Sequence, residues 1–285
     1  MRKMRNRKVV ILTGSELRHD FFRKYLALQP GIEVLLTTCE GTGKSLQAII
    51  GKEEKRALRE RHLQARACSE RDFFELYVRS AQECSNPLFI PKGNVNDAQV
   101  VERILSLSPD LLVAYGCSIV RGRLLEEYSG RFLNVHLGLS PWYRGSGTNF
   151  WPLVNGEPEF VGATFMHIDA GVDTGEIIHQ IRAEYCWGDT PHLAGNRLIA
   201  RMAGVYADII RNFDRLPPMP QPEEPEHLRY YRKKDFSEAA VAKLYENFRA
   251  GMIERYLENR PAHDARCPLV SNPGLVVAPG ATNRA

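Results

Sequence analysis

Phe132-Leu133-Asn134-Val135-His136 opens the stretch FLNVHLGLSPWYRGSGTNFWPLVNGEPEFVGATFMHIDAGVDTGEIIHQ, residues 132 to 180, and its reading decides the fold. The apolar members Phe132, Leu133 and Val135 read as a buried strand, so the polar pair must emerge at a rim rather than sit in the core. In open parallel sheets ligands bind at that rim. Asn134 and His136 stand two apart and on a strand face one way. Gly138, Ser140 and Pro141 then break the regular structure.

A second apolar run, Val161 to Ile168, delivers the loop Asp169-Ala170-Gly171-Val172-Asp173-Thr174-Gly175, and Glu176 to Ile181 continue as another strand. Asp173 on that loop can orient or protonate the histidine. Gly171 and Gly175 are expected to supply unusual backbone angles and close approach. An amide donor beside an imidazole suits a reaction in which a carbonyl oxygen becomes negative. Alone, an Asn or His at a strand end more often satisfies local backbone groups. The ordered combination points to chemistry.

Outward from this stretch, strands and helices alternate. Lys8 to Leu12 reads as a first strand, with a helix following to about Leu28. Ile32 to Thr37 is a second strand, Lys44 to about Glu83 is helical, and Leu88 to Ile90 form a short third strand. Asn96 to Ser106 reads as a helix with Asn94 or Asn96 near its cap, leading into a strand at Leu111. This alternation predicts an α/β, Rossmann-like, mostly parallel sheet flanked by helices. We expect a catalytic domain over 1–215, and over 216–285 a proline-rich linker plus a short helical C-terminal extension. A helix from about Pro191 to Phe213 closes the first unit, and Leu216 to Glu226 reads as a stiff linker. Beyond Tyr230 and Tyr231, Phe236 could staple and Asp235 or Ser237 could cap one helix carrying the stripe Val241, Leu244, Tyr245, Phe248, Met252, Tyr256. The stripe is expected to pack on the core rather than form a dimer contact, though a homodimer stays open. Residues 262 to 285 look loose.

With 285 residues, 44% of them hydrophobic, the chain can bury a full core. The net charge of +4 is spread through mixed runs such as Lys52-Glu53-Glu54-Lys55-Arg56, which read as solvated helix faces rather than a nucleic-acid track. The basic cluster Arg2, Lys3, Arg5, Arg7, Lys8 precedes too short an apolar run for a secretion signal. No run reaches membrane-spanning length, so a cytoplasmic protein is expected. The six cysteines show no Cys-x-x-Cys spacing and read as free thiols; the histidines show no metal-ligand spacing. Gly41-Thr42-Gly43-Lys44-Ser45 imitates the tail of a phosphate loop, but Thr38 stands where the first glycine is required. His167, beside Met166, points to the other strand face and reads as structural.

The segment resembles the folate-dependent formyltransferase family. That family's pattern is matched here by Asn134-Val135-His136, by Leu139-Ser140-Pro141-Trp142-Tyr143-Arg144-Gly145, and by Asp169 through Ile178. The similarity extends less tightly from about residue 85 to 215. It implies Asn134, His136 and Asp173 as a catalytic trio, 10-formyltetrahydrofolate as formyl donor, a small-molecule amine as acceptor and no metal. Asn134 and a protonated His136 would hold the developing oxyanion, and Asp173 would keep the ring charged and help move the amine proton. Asp110 to Val120 resembles the strand and loop around the pterin ring. By that resemblance Tyr115, Ser118, Ile119, Val120, Leu133, Asp169, Ala170, Gly171 and Val172 would bind the folate.

The acceptor is narrowed in the same way. Glycinamide-ribonucleotide formyltransferases carry a glycine-rich loop that Thr13-Gly14-Ser15-Glu16-Leu17-Arg18 lacks. Methionyl-tRNA formyltransferases share the pattern of Thr164-Phe165-Met166 but add a β-rich RNA-binding domain, which the helical tail does not resemble, so nucleic acid is disfavoured. Formyltetrahydrofolate hydrolases use the same trio on water and usually carry an N-terminal regulatory domain; with a first strand at Lys8 that domain is not expected, and hydrolysis stays open. Sugar-nucleotide N-formyltransferases match best, through Pro141-Trp142-Tyr143-Arg144-Gly145 and Asn149-Phe150-Trp151. An amino-sugar acceptor is therefore favoured, with Arg144, Gly145, Ser146, Gly147, Thr148 and Asn149 shaping its pocket and Trp151 packing beneath. A non-catalytic folate-binding protein is the contrasting reading, against which the intact trio speaks.

Overall fold

A computed structural model describes residues 6–41, 57–222 and 228–275. Thr42 to Ser45, Lys52 to Arg56, Arg2, Lys3, Arg5, Glu223 to His227 and the last ten residues, all weighed above, lie outside that set.

The strands are β1 (Arg7–Gly14), β2 (Ile32–Glu40), β3 (Pro87–Ile90), β4 (Leu111–Tyr115), β5 (Phe132–His136), β6 (Tyr143–Gly145), β7 (Gly162–His167), β8 (Ile177–Arg182) and β9 (Arg229–Tyr231). Seven of them form one sheet in the order β3-β2-β1-β4-β5-β7-β8, while β6 and β9 pair separately and in parallel. From β3 to β5 all neighbours run parallel; β7 and β8 join antiparallel. The expected mostly parallel, Rossmann-like sheet is thus what the chain builds.

Alternate strand residues serve opposite faces. Val9, Ile11, Leu111, Val113, Leu133 and Val135 join one buried cluster; Val10, Leu12, Leu112, Ala114 and Phe132 join the other. Helices α1 (Leu17–Ala27), α2 (Ala57–Ser80) and α6 (Pro191–Asn212) cover the first face through Phe22, Phe74 and Ile209. Helices α3 (Ala98–Ser106) and α4 (Arg123–Glu127) cover the second through Ile104 and Leu124. Burial on both sides is why these strands read as continuous apolar runs. Each such side chain contributes about 1.5–3 kcal/mol when fully buried. The short α5 (Trp151–Val154) lies between β6 and β7. No helix among the described residues is long and apolar enough to cross a membrane.

Three expectations need correction. A 3-10 turn over Asn94–Asn96 precedes α3, whose N-cap position is Asp97; the Asn96 amide instead bonds the Ile119 carbonyl and the Arg121 N–H. The C-terminal stripe lies on two helices, α7 (Glu238–Arg249) and α8 (Met252–Glu258), because Gly251 takes a φ of 75° between them. Ser237 caps α7, Leu244, Met252 and Tyr256 are buried in the core cluster, and Val241 is buried as well. The tail is not loose over its described part. After α9 (Arg260–Asp264), Val270 exchanges hydrogen bonds with Gln180, and buried Asn272 holds the Ile178 and Pro217 carbonyls.

Candidate active site

His136 is the last residue of β5 and is only 7% exposed. Its Nδ1 stands 3.3 Å from Asp173 Oδ1, and its Nε2 lies 3.0 Å from the Tyr143 carbonyl. A carbonyl can only accept, so Nε2 carries a hydrogen and Nδ1 is the nitrogen turned to the carboxylate. Asn134, two residues earlier on the same strand face, is half-buried and so reachable from solvent. Gly138 makes the geometry possible, since a Cβ there would strike the His136 ring and Thr148. The turn beyond it is fixed by Thr164, which the motif reading named only within Thr164-Phe165-Met166, and by Gln180, which it passed over. Thr164 Oγ1 donates to the Gly138 carbonyl and accepts from Ser140 N–H, and the buried Gln180 amide donates to the Ser140 carbonyl. Gln180 was visible only as a lone amide inside an apolar strand.

The loop carrying Asp173 leaves the sheet beside Phe132, where Ile168 N–H bonds its carbonyl, and folds back along β5 to His136. Asp169 organises it by accepting from Gly171 N–H and Thr174 Oγ1. The unusual backbone angle falls on Asp173 itself, with φ of 55°, and not on the glycines as expected. Gly175 is needed for space, since a Cβ would run into the His167 carbonyl. His167 meets Phe213 rather than the trio.

On the other side of His136, β6 pairs with β9 and begins the acceptor-loop candidates. Arg144, Gly145, Ser146 and Asn149 are half-buried, Gly147 is exposed and Thr148 is buried, its hydroxyl on the Leu137 carbonyl. Gly145 N–H reaches Asp173 Oδ2 at 3.3 Å, so this loop and the Asp173 loop touch. Tyr231 is the keystone that sequence reasoning missed: its ring stacks on Trp151 at 4.1 Å, and its carbonyl accepts from Ser146 N–H. Trp151 therefore packs beneath the loop. Tyr143 sits under it too, its hydroxyl between Glu157 and Arg229, and burial followed by the Glu157 carboxylate pushes its pKa up.

The folate candidates flank β4 and β5. Tyr115 and Leu133 are core residues on the face opposite Asn134, so only their backbones can meet a ligand there. Cys117, Val120 and Ile168 pack on the second cluster, the side to which Phe132 and Ala114 also belong. Ile119 (55% exposed) and Val172 (41% exposed) are large apolar side chains left uncovered, and Asp169, Ala170 and Gly171 are exposed. Glu40, at the end of β2, shapes the loop at Ser118. Its fully buried carboxylate accepts from Ser118 N–H at 2.6 Å, Gly93 N–H at 3.0 Å and Lys92 Nζ at 2.8 Å. Burial acts to raise its pKa, but the bonds from Lys92 and Ser118 prevail and lower it.

Comparison with known proteins agrees with this architecture. The chain is 30% identical over 150 residues to a methionyl-tRNA formyltransferase of Finegoldia magna, covering 52% of this chain and 44% of that one. It is 29% identical over 170 residues to the Francisella philomiragia enzyme of the same name, covering 57% and 54%. The chain thus spans about half the length of these curated relatives. Among solved structures, an N-formyltransferase from Helicobacter canadensis superposes with a TM-score of 0.53 at 14% identity, covering 85% of this chain and 80% of that one. A phosphoribosylglycinamide formyltransferase from Anaplasma phagocytophilum gives 0.52 at 13% identity, covering 80% and 99%. These two likenesses concern the fold. The family model described as formyl transferase matches residues 36–209, which include every strand from β3 to β8 and the whole His136–Asp173 site, and the chain belongs to that family.

Proposed function

We propose that this chain transfers a formyl group from 10-formyltetrahydrofolate to a primary amine of a small molecule, with an amino-sugar nucleotide as the favoured acceptor. The observation that carries the reading is the His136–Asp173 pair at 3.3 Å, beside an amide on the same strand face, in a chain of the formyl transferase family. The bound donor supplies an acyl carbon whose nitrogen leaves once protonated. As the acceptor nitrogen adds to that carbon, the formyl oxygen gains charge, and the Asn134 amide donates to it. His136, held at Nε2 by the Tyr143 carbonyl and at Nδ1 by Asp173, sets a positive field beside that oxygen when protonated. Asp173 draws the proton from the attacking amine, and water returns it to the departing folate nitrogen. The products are a formamide and tetrahydrofolate.

The sugar acceptor is supported by the loop sequence Pro141 to Trp151, and the Helicobacter canadensis protein was solved with folinic acid and dTDP-3-aminofucose. A second reading, formylation of methionyl-tRNA, is favoured by the sequence relatives. Purified protein with the formyl donor and a panel of amino-sugar nucleotides, methionyl-tRNA and water alone separates the cases. Formamide on a sugar amine is the expected product. Transfer only to the tRNA, or formate release alone, overturns the acceptor, and no turnover of the donor overturns the activity.

A further inference from the structure

We infer that Gln221, in the proline-rich segment after α6, is a positioning residue for Asp173. This rests on the proposed formyl transfer and adds to it a part of the chain that lies outside the 36–209 family match. The segment is not a free linker where it is described. Met219 exchanges backbone hydrogen bonds with Ile177 at 2.7 and 2.8 Å, and Asn272 holds the Pro217 carbonyl. That bridge lays the chain against the start of β8, beside the loop that carries Asp173, and Gln221 follows two residues later.

The Gln221 amide is used at both ends. Its Nε2 donates to the Asp173 carbonyl at 2.8 Å and to the Gly175 carbonyl at 2.9 Å, while its Oε1 accepts from Arg144 Nη2 at 3.0 Å. One side chain thereby ties the Asp173 loop to the acceptor-side loop. Asp173 depends on this support for two reasons. Its φ of 55° carries some strain even for Asp, which tolerates the left-handed region better than most residues, so bonds to its backbone favour that conformation. Its carboxylate contacts, to His136 Nδ1 and to Gly145 N–H, are both 3.3 Å, longer than the two bonds that Gln221 makes. The two short bonds from Gln221 are made to the backbone of the strained residue and of its near neighbour. An amide meets this need and a carboxylate does not, because two carbonyl oxygens require two N–H donors.

Two variants test the clamp. Gln221→Met keeps the volume and removes both donors; Gln221→Glu keeps an acceptor for Arg144 but sets oxygen against the two carbonyls. Both are expected to lower kcat about 10- to 100-fold, the scale of a displaced catalytic group, with any rise in KM for the formyl donor, whose candidate contacts share this loop, smaller than the fall in kcat. Backbone amides over 171–175 should exchange hydrogen faster in both variants, while those of β1 and β4 keep their protection. Unchanged kcat in both variants of an active protein overturns the inference, as does equal loss through KM. Unchanged exchange over 171–175 also overturns it, and that arm reads the clamp even if the wild-type protein proves inactive, a result that would count against the activity alone.

Discussion

Replacing Glu40 by leucine is expected to cost about 2.5–5 kcal/mol of folding stability and to loosen the loop at Ser118. Three hydrogen bonds end on its buried carboxylate, and bonds to a charged acceptor contribute about 1.5–3 kcal/mol each. Lys92 and Gly93 are exposed and recover water, so roughly a third of each of their bonds is lost. The Ser118 bond, at 2.6 Å to a half-buried donor, is lost in full. The sum agrees with the range of about 3–5 kcal/mol for breaking a buried pair from one side. For a chain of this size it corresponds to a fall in Tm of roughly 5–20 °C. Glu40→Gln keeps the shape and one acceptor, and should cost less than half as much. Urea denaturation with an unchanged m value reports the difference as a shift of midpoint, and tetrahydrofolate titration reports the loop. Because the pKa of Glu40 is lowered in the fold, its contribution is present above the ordinary carboxylate range and lost as pH falls through the lowered folded value. That acid-side loss should vanish in Glu40→Gln. A Glu40→Leu protein within about 1 kcal/mol of wild type, binding tetrahydrofolate equally well, would refute the reasoning.

Other substitutions probe the site and its frame. Asn134→Ala is expected to keep the fold by circular dichroism and lower formyl transfer about a hundredfold to a thousandfold, the effect of losing one oxyanion donor; Asp173→Asn should behave alike, and near-wild-type turnover in either would end the mechanism. Gly145→Ala forces a Cβ against the Tyr231 carbonyl at a φ of 92°, so β6 and β9 should separate, with Trp151 fluorescence changing as its stack on Tyr231 opens. Burial, then neighbouring positive charge, lowers His62 to about 3, His179 to about 4 and His192 to about 4. The unfolded chain takes up protons there first, so stability should fall as pH drops from about 6.5 towards 4. Urea midpoints against pH should show a shallower slope in His62→Gln; an unchanged slope would remove that residue from the account.

The sequence disclosed β4 and β5 because each strand is a short apolar run with its polar residues at one end, a pattern that burial on both faces enforces. His136 and Asp173, 37 positions apart by their numbers, meet as the motif order implied. What stayed hidden depends on partners far along the chain. Arg229-Tyr230-Tyr231 is too short to announce a strand, and its partner Tyr143 lies 86 residues away. Gln221 sat in a proline-rich run whose composition suggests extension and says nothing of what the extended chain lies against. Glu40 reads as the polar end of a strand until Lys92 and Ser118 are seen to converge on it. The break at Gly251 was masked because apolar spacing continues across it from Phe248 to Met252. Likewise Asn272 is one polar residue among prolines and glycines, and only the Ile178 and Pro217 carbonyls reveal its purpose.

The pairing of β6 with β9 also sets a timetable for the nascent polypeptide. The turn beside His136 cannot acquire its final partner until the ribosome has added the 86 residues that separate Tyr143 from Arg229. At roughly 5–20 residues per second that is about 4–17 s of further translation. Throughout that interval the doubly wound sheet can assemble from its own strands, while the β6 loop beside His136 waits for Arg229 to Tyr231 to emerge.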